Sequence, residues 1–324
     1  MNRNNGIDLF RLIAAFFIMC VHTGYGRLNP EITGNIQLIS RWAVPFYFIT
    51  TGFFLGKKIE NRTLDFNRIQ KNIVRLITIL IVASMVYLPV DIITDHIPNK
   101  VVYLFTGTYF HLWFIGELIN GYIFIWYLHF IRKAKYLPLI SAAIILLALI
   151  ADSYDRILNK EFDFALLRFL LAIPFMYLGI LFSKTKSIPG RRGLFIGIAL
   201  AGLLIQYFEA EWFAATFFDK KEVHQFLAGT GIAAAAIFLF SAKTDLRANI
   251  FSEWGRDHSL FIYLYHPLVY FLMETVILRT IPGYFDTIQM IFPLLGFIIL
   301  LSGALVIKML FPKGYDLLNG HISF

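Results

Sequence analysis

An all-α integral membrane protein with about ten transmembrane helices and both termini in the cytoplasm is the fold class this sequence predicts. Three observations predict it. The 324 residues are 58% hydrophobic and only 15% charged, where soluble domains carry roughly 25% charged residues. The charges sit in clusters between long apolar runs, so the helices lack the polar face that water demands. Lys and Arg gather in alternate loops, the pattern that marks the cytoplasmic side of a membrane protein.

A span needs roughly 20 apolar residues. The first half supplies Ile7–Tyr25, Ile39–Leu55, Ile73–Ile93, His111–Leu128 and Leu137–Ala151. The second half supplies Phe164–Phe182, Leu194–Phe208, Phe226–Ser241, Ser259–Leu278 and Ile288–Leu310. The fifth, seventh and eighth are short and need less tilt or interfacial extensions. With the N-terminus inside, Lys57, Lys58, Arg68, Lys71, Arg75, Arg132, Lys133, Lys184, Arg191, Lys243 and Lys308 all face the cytoplasm. Glu31, Asp91, Asp152, Glu209, Glu211 and Asp286 face outward. A net charge of +8 therefore reports topology, and no nucleic acid is expected as a partner. The first span follows a basic N-terminus but precedes no clean cleavage site, so it is expected to be retained. No repeat, linker or long outer loop interrupts the chain, and residues 1–324 read as a single membrane domain.

An ionisable side chain inside lipid costs several kcal/mol unless it faces the bundle interior, so each one is a functional candidate. Asp8, Arg11, His22, Arg41, His111, Glu117, Arg168, His258, His266 and Glu274 fall within the expected spans or at their ends. Arg11 and His22 are 11 positions apart, almost three helical turns, so they share one face at about 16 Å axial separation. Asp8 lies one turn below Arg11. The simpler alternative is an Arg that snorkels to headgroups and a His satisfied at the interface. Cys20, the only cysteine, excludes an intrachain disulfide and points away from His22 on a helix. The histidines are scattered, with no His-x-x-x-His pair and no Cys cluster, so no metal is expected. His96, His129, His224 and His321 fall in loops or at ends and read as solvated surface.

Four segments carry a resemblance. Ile7-Asp8-Leu9-Phe10-Arg11-Leu12-Ile13-Ala14-Ala15, followed by Val21-His22, has an Arg, ten residues and a His. Arg41-Trp42-Ala43-Val44-Pro45-Phe46 runs on to Thr50-Thr51-Gly52-Phe53-Phe54-Leu55. His111-Leu112-Trp113-Phe114 opens a middle span, and Tyr263-Leu264-Tyr265-His266-Pro267 lies in a late one. In this order they resemble the acyltransferase family 3 membrane proteins, over nearly the whole chain. Two departures stand out. The usual Ser before the glycine of the second segment is Thr51 here, and the following basic pair reads Arg68-Ile69-Gln70-Lys71, with Arg75 a turn on.

The resemblance implies transfer of an acyl group, usually acetyl from acetyl-CoA, to hydroxyls of extracytoplasmic glycans or other cell-envelope acceptors, in a bacterial inner membrane. The residues permit that chemistry. Arg68, Lys71 and Arg75 form a basic patch suited to the phosphates of acyl-CoA, although they also serve as topology-setting charge. Arg11 would guide the donor arm or hold a phosphate. A neutral His22 can act as base on an acceptor hydroxyl or become acylated itself. Glu117 lies about 9 Å deeper than His111 on its helix and would orient an imidazole or accept a proton. The Tyr263 hydroxyl would stabilise a developing oxyanion. Arg41, His111, Trp113 and His266 are assigned to the acceptor, a glycan or lipid-linked molecule at the membrane, with Trp113 stacking on a sugar ring.

Three further readings compete, of which a purely structural or sensing membrane protein is least favoured by the Arg11–His22 stripe. A transporter or flippase would use the same charges as a substrate path, yet inverted repeats and paired broken helices are not evident. The second and fourth segments are also close to the membrane part of serine racemases linked to glycopeptide resistance, which add a pyridoxal-phosphate domain after the last span. Only Phe311 to Phe324 follow the tenth span here, so racemase activity is not expected.

Overall fold

The structure is a computed structural model and describes residues 4–25, 29–59, 64–94, 103–154, 157, 167–185, 190–217 and 224–320. It is all-helical, with no strand among the described residues. In chain order the helices are α1 (Asn5–Val21), α2 (Pro30–Ser40), α3 (Ala43–Gly56), α4 (Phe66–Ile93), α5 (Tyr103–Thr106), α6 (Trp113–Phe130) and α7 (Leu137–Leu149). They continue as α8 (Ala172–Lys184), α9 (Arg192–Phe217), α10 (Ala228–Lys243), α11 (Ile250–Thr280), α12 (Phe285–Gln289), α13 (Phe292–Leu310) and α14 (Pro312–Leu318). The end of the bundle where α1 begins is called basal below, and the end where it finishes distal.

Among the described residues six stretches are long and apolar enough to cross a membrane by themselves: Pro30–Gly56, Ile69–Ile93, Ala134–Tyr154, Arg192–Phe217, Ile250–Thr280 and Phe292–Leu310. α8 and α10 are apolar but shorter. α1, with 17 residues, is shorter than these, and it carries Asp8 and Arg11 as α6 carries Glu117 and Asn120. Solvent for the outer surface must be lipid. Only 22% of the most apolar window is buried in both Arg192–Phe217 and Phe292–Leu310, whereas 67% is buried in Pro30–Gly56.

Several elements outrun the expected spans, and polar caps explain where they start. α11 begins nine residues before Ser259, because Asn249 and Ser252 form a capping box: the Ser252 N–H donates to Asn249 Oδ1 at 2.9 Å and the Asn249 N–H to Ser252 Oγ at 3.1 Å. α4 begins at Phe66, where the Asp65 side chain accepts the Asn67 N–H at 3.3 Å. The second span, expected as Ile39–Leu55, starts at Pro30 after the cap residue Asn29 and breaks at Arg41-Trp42 between α2 and α3. At the distal end two carboxylates take over the start of α10. Asp152 accepts the Phe226 N–H at 2.7 Å, and Glu209 accepts the Gly229 N–H at 2.9 Å and the Tyr154 hydroxyl at 2.6 Å.

α1 occupies the centre, packed along α11 and flanked by α3, α10 and α13. It runs parallel to α11: Gly255 meets Asp8 near the basal end, and Tyr270 bonds Met19 and Thr23 near the distal end. A Cβ on Gly255 would overlap the Asp8 carbonyl, and a Cβ on Gly52 would overlap the backbone of α8 at Met176. Glycine allows these helices to touch backbone to backbone, the association mode available where lipid offers no hydrophobic drive. His129 and His224, expected at the surface, are both buried. Each finds a partner, the Ile125 carbonyl at 2.8 Å and Ser153 Oγ at 3.0 Å respectively. Burial is tolerated because these bonds replace water. His96 and His321 lie outside the described residues.

Candidate active site

α1 ends at Val21, and His22 caps it with φ −101° and ψ 13°, its N–H bonded to Met19 O at 3.2 Å. That turn aims the imidazole out of the helix into a distal cavity of about 430 Å³. Arg41, Trp113 and Arg168 line the same cavity. Arg41 gets there through the break between α2 and α3, and Trp113 opens α6. The Arg168 guanidinium lies 5.1 Å from the Trp113 ring centroid.

Behind His22 stands a cluster of rings. His22 stacks on His266 with centroids 5.2 Å apart and planes 24° apart, and Phe110 lies edge-on at 5.1 Å. His111 meets His266 at 5.3 Å. The geometry comes from Pro267, which is buried inside α11. Having no N–H, Pro267 leaves the Tyr263 carbonyl without its helical donor. The His266 ring supplies one, Nδ1 lying 2.7 Å from that oxygen. One residue on, the Tyr87 hydroxyl inserts between Leu268 N–H (3.3 Å) and Leu264 O (2.8 Å). The Leu264 carbonyl also takes His111 Nε2 at 2.9 Å. Carbonyls only accept, so both neutral rings are fixed as tautomers: His266 carries its proton on Nδ1 and His111 on Nε2. The remaining nitrogens, His266 Nε2 and His111 Nδ1, are buried with no hydrogen-bond partner among the described residues. Both are buried acceptor nitrogens within the ring cluster behind His22.

The basal side holds two adjoining cavities of about 250 and 380 Å³, both lined by Arg11 and Arg75. Arg11 pairs with Asp8 at 3.4 Å, and Tyr47 donates to the Arg11 carbonyl at 2.6 Å. Arg75 Nε donates to Asn319 O at 3.0 Å, tying α4 to the end of α14. Arg256 and Lys308 join this basic mouth, each paired with Asp257 at 2.7 and 3.0 Å. In the sequence these two stand out only as topology-setting charges. Lys71 is exposed on α4 and lines neither basal cavity. The Arg68 side chain lies outside the described residues.

One aromatic layer separates the two sides. Phe48 lines the distal cavity, Phe114 lines a basal one, and their rings stack at 4.8 Å. Tyr263 backs Phe114 at 4.9 Å. In this arrangement the Tyr263 hydroxyl donates to the His111 carbonyl at 2.5 Å, so its proton holds the His111 backbone. Glu117 is fully buried one turn past Phe114, and neither carboxyl oxygen has a hydrogen-bond partner among the described residues. Arg168 is the cation whose field reaches it. Among the described residues no three His, Cys, Asp or Glu side chains are grouped to hold a metal.

Residues 4–311 match the sequence model of acyltransferase family 3, an acyltransferase domain. The chain belongs to acyltransferase family 3. The match encloses the lining of the distal cavity and of the smaller basal one, the Arg11–His22 helix and Pro267. Among curated proteins the chain is similar to an amino-acid racemase of Enterococcus faecalis, 26% identical over 302 residues, covering 85% of this chain and 42% of that protein. A second Enterococcus faecalis amino-acid racemase is 33% identical over 168 residues, 48% of this chain and 23% of that protein. A serine/alanine racemase of Enterococcus gallinarum is 26% identical over 298 residues, 82% of this chain and 40% of that protein. The chain thus spans less than half the length of these family relatives. No solved structure matches it.

Proposed function

We propose that this membrane acyltransferase crosses the bilayer ten times with its basal face in the cytoplasm, and moves an acyl group outward from acyl-CoA. Acetyl is the simplest donor group. The observation that carries the reading is the pairing of Arg11 and His22. They lie on one stripe of α1 and open onto cavities on opposite sides of the Phe48–Phe114 layer. Arg11 and Arg75, with Arg256 and Lys308, offer cations to the phosphates of acyl-CoA. The thioester arm then reaches along α1 toward His22.

In the direct route a neutral His22 nitrogen takes the proton of an acceptor hydroxyl as its oxygen bonds to the thioester carbonyl carbon. The C–S bond breaks, and the thiolate leaves as CoA thiol with the proton that His22 held. In the carrier route the His22 nitrogen bonds to the carbonyl carbon first, expelling CoA. The acceptor oxygen then bonds to that carbon, the C–N bond breaks, and the hydroxyl proton restores the imidazole N–H proton that the departing CoA thiolate took. His266 and His111, locked by α11 carbonyls, hold the ring stack that orients His22. The acceptor is a hydroxyl of an extracytoplasmic glycan or lipid-linked cell-envelope molecule. Two cavities facing opposite ends across one ring layer also suit a transporter, which would move an acceptor or donor whole.

Inverted membrane vesicles given acetyl-labelled CoA on the basal side test the reading. Wild type is expected to deliver label to the distal side, and His22→Ala to lose about a hundredfold or more of that delivery while still binding donor. Equal delivery by both would make His22 structural. Unmodified donor crossing intact would put transport in place of transfer.

A further inference from the structure

We propose that Thr23, Tyr25 and Tyr270 are positioning residues for His22, three hydroxyls that clasp the end of α1 and aim the imidazole into the distal cavity. The inference rests on the reading of His22 as the reacting group and adds what holds it there. A helix leaves its last four carbonyls without N–H partners of its own. At the end of α1 side chains take up two of them. The Met19 carbonyl is met by the His22 N–H at 3.2 Å, the Thr23 hydroxyl at 3.0 Å and the Tyr270 hydroxyl at 3.1 Å. The two hydroxyls lie 3.0 Å from each other. The Cys20 carbonyl accepts the Tyr25 phenol at 3.2 Å.

The backbone records the same constraint. Tyr25 has φ 56°, in the left-handed region where glycine is the usual residue after a helix. Gly24 stands one position earlier, yet the left-handed residue is the tyrosine. A tyrosine stays in that region only where its surroundings hold it, and such residues cluster where strain serves a site. Here the phenol reaches back five residues to Cys20 and closes a loop that contains His22. Thr23 and Tyr25 are both buried. The loop is held from outside as well. Gln37 of α2 donates from Nε2 to Thr23 O at 2.9 Å, and a Cβ on Gly24 would come within 3.3 Å of Gln289 Nε2 on α12. Tyr270 ties the turn to α11, one helical turn past His266, whose ring stacks on His22. The imidazole is thus held on one face by the His266 ring and at its backbone by the clasp.

The test deletes one hydroxyl at a time in the full chain: Thr23→Val, Tyr25→Phe and Tyr270→Phe. The first readout is the His22 ring resonance of isotope-labelled histidine in detergent-purified protein, assigned by its loss in His22→Ala. His129, at the basal end of α6, is the reference. Each variant is expected to shift or split the His22 resonance and to leave that of His129 in place. The second readout is acyl delivery in vesicles, where kcat should fall about tenfold for each lost hydroxyl while KM for the donor stays within about twofold. Thr23→Ser, which keeps the hydroxyl, should restore most of what Thr23→Val loses. An unmoved His22 resonance in all three variants, or a raised KM with unchanged kcat, would overturn the proposal. Movement of both histidine resonances in every variant would make the hydroxyls general packing and overturn it too. The resonance needs no donor, so it decides the clasp even where the His22→Ala delivery assay removes the acyl-transfer reading.

Discussion

The distal and basal cavities flank one helix and are built to opposite rules. On the basal side the cations are anchored by acids and carbonyls: Arg11 by Asp8, Arg256 and Lys308 by Asp257, and Arg75 by Asn319 O. On the distal side the key groups are imidazoles, and what anchors them is backbone freed by a proline. Ion pairs fix a charge in space, as binding of a polyanion requires. Carbonyls fix a tautomer and leave the other nitrogen basic, as proton transfer requires. On the proposed reading the two ends of α1 would separate donor binding from chemistry, with the Phe48–Phe114 layer between them.

The most severe way to break this comparison is to pull α1 away from α11. Gly255→Leu would drive a side chain into the Asp8 carbonyl, where no flexible group can yield. Overpacking costs about 1–3 kcal/mol where neighbours can shift, and at a backbone contact it should exceed that. The expected outcome is loss of monodisperse protein in detergent. Folded protein with normal donor binding and acyl delivery would show that the crossing does not set either cavity.

A second perturbation separates the ends. Arg11→Gln with Arg75→Gln removes two cations from the basal mouth, so binding of labelled acyl-CoA should weaken about tenfold to a hundredfold. The His22 ring resonance should stay at its wild-type position, since those sites share no partner. A shift there as well would mean that the aromatic layer transmits what happens at the basal mouth.

How much of this was legible in the sequence depends on how local the cause is. The Arg11–His22 stripe is an expectation of helical periodicity; Arg11 lies within α1 and His22 at its C-terminal cap, each lining a cavity. The overlap of Arg75 with the basal cavity was legible as a basic patch at a span end. Lys71, one turn away, faces outward, because helical phase relative to neighbours is a tertiary property. Arg256 and Lys308 reach the same mouth from α11 and α13, which no local pattern announces. Arg168 lies 55 positions from Trp113 in the chain and meets it only through folding. The break at Arg41-Trp42 is equally hidden, since the apolar run passes through it. Tyr87 is the clearest omission. Its role exists only because Pro267, far along the chain, opens a gap in α11 that a hydroxyl can fill.

That gap yields the finest probe of the comparison. Pro267→Ala restores an N–H at position 267, which competes with His266 for the Tyr263 carbonyl. Where the new N–H wins, α11 straightens, the Tyr87 hydroxyl loses its place between Leu264 and Leu268, and the His266 tautomer is no longer dictated. The loss of roughly one hydrogen bond's worth of orientation should lower acyl delivery about tenfold. Donor binding at the basal mouth should be unchanged, because it uses no α11 carbonyl at the kink. His266→Gln should give a similar fall, whereas Tyr87→Phe, which removes only the inserted hydroxyl, should give a smaller one. If Pro267→Ala instead weakens donor binding and leaves delivery per bound donor intact, the kink serves packing of the bundle and not the imidazole stack.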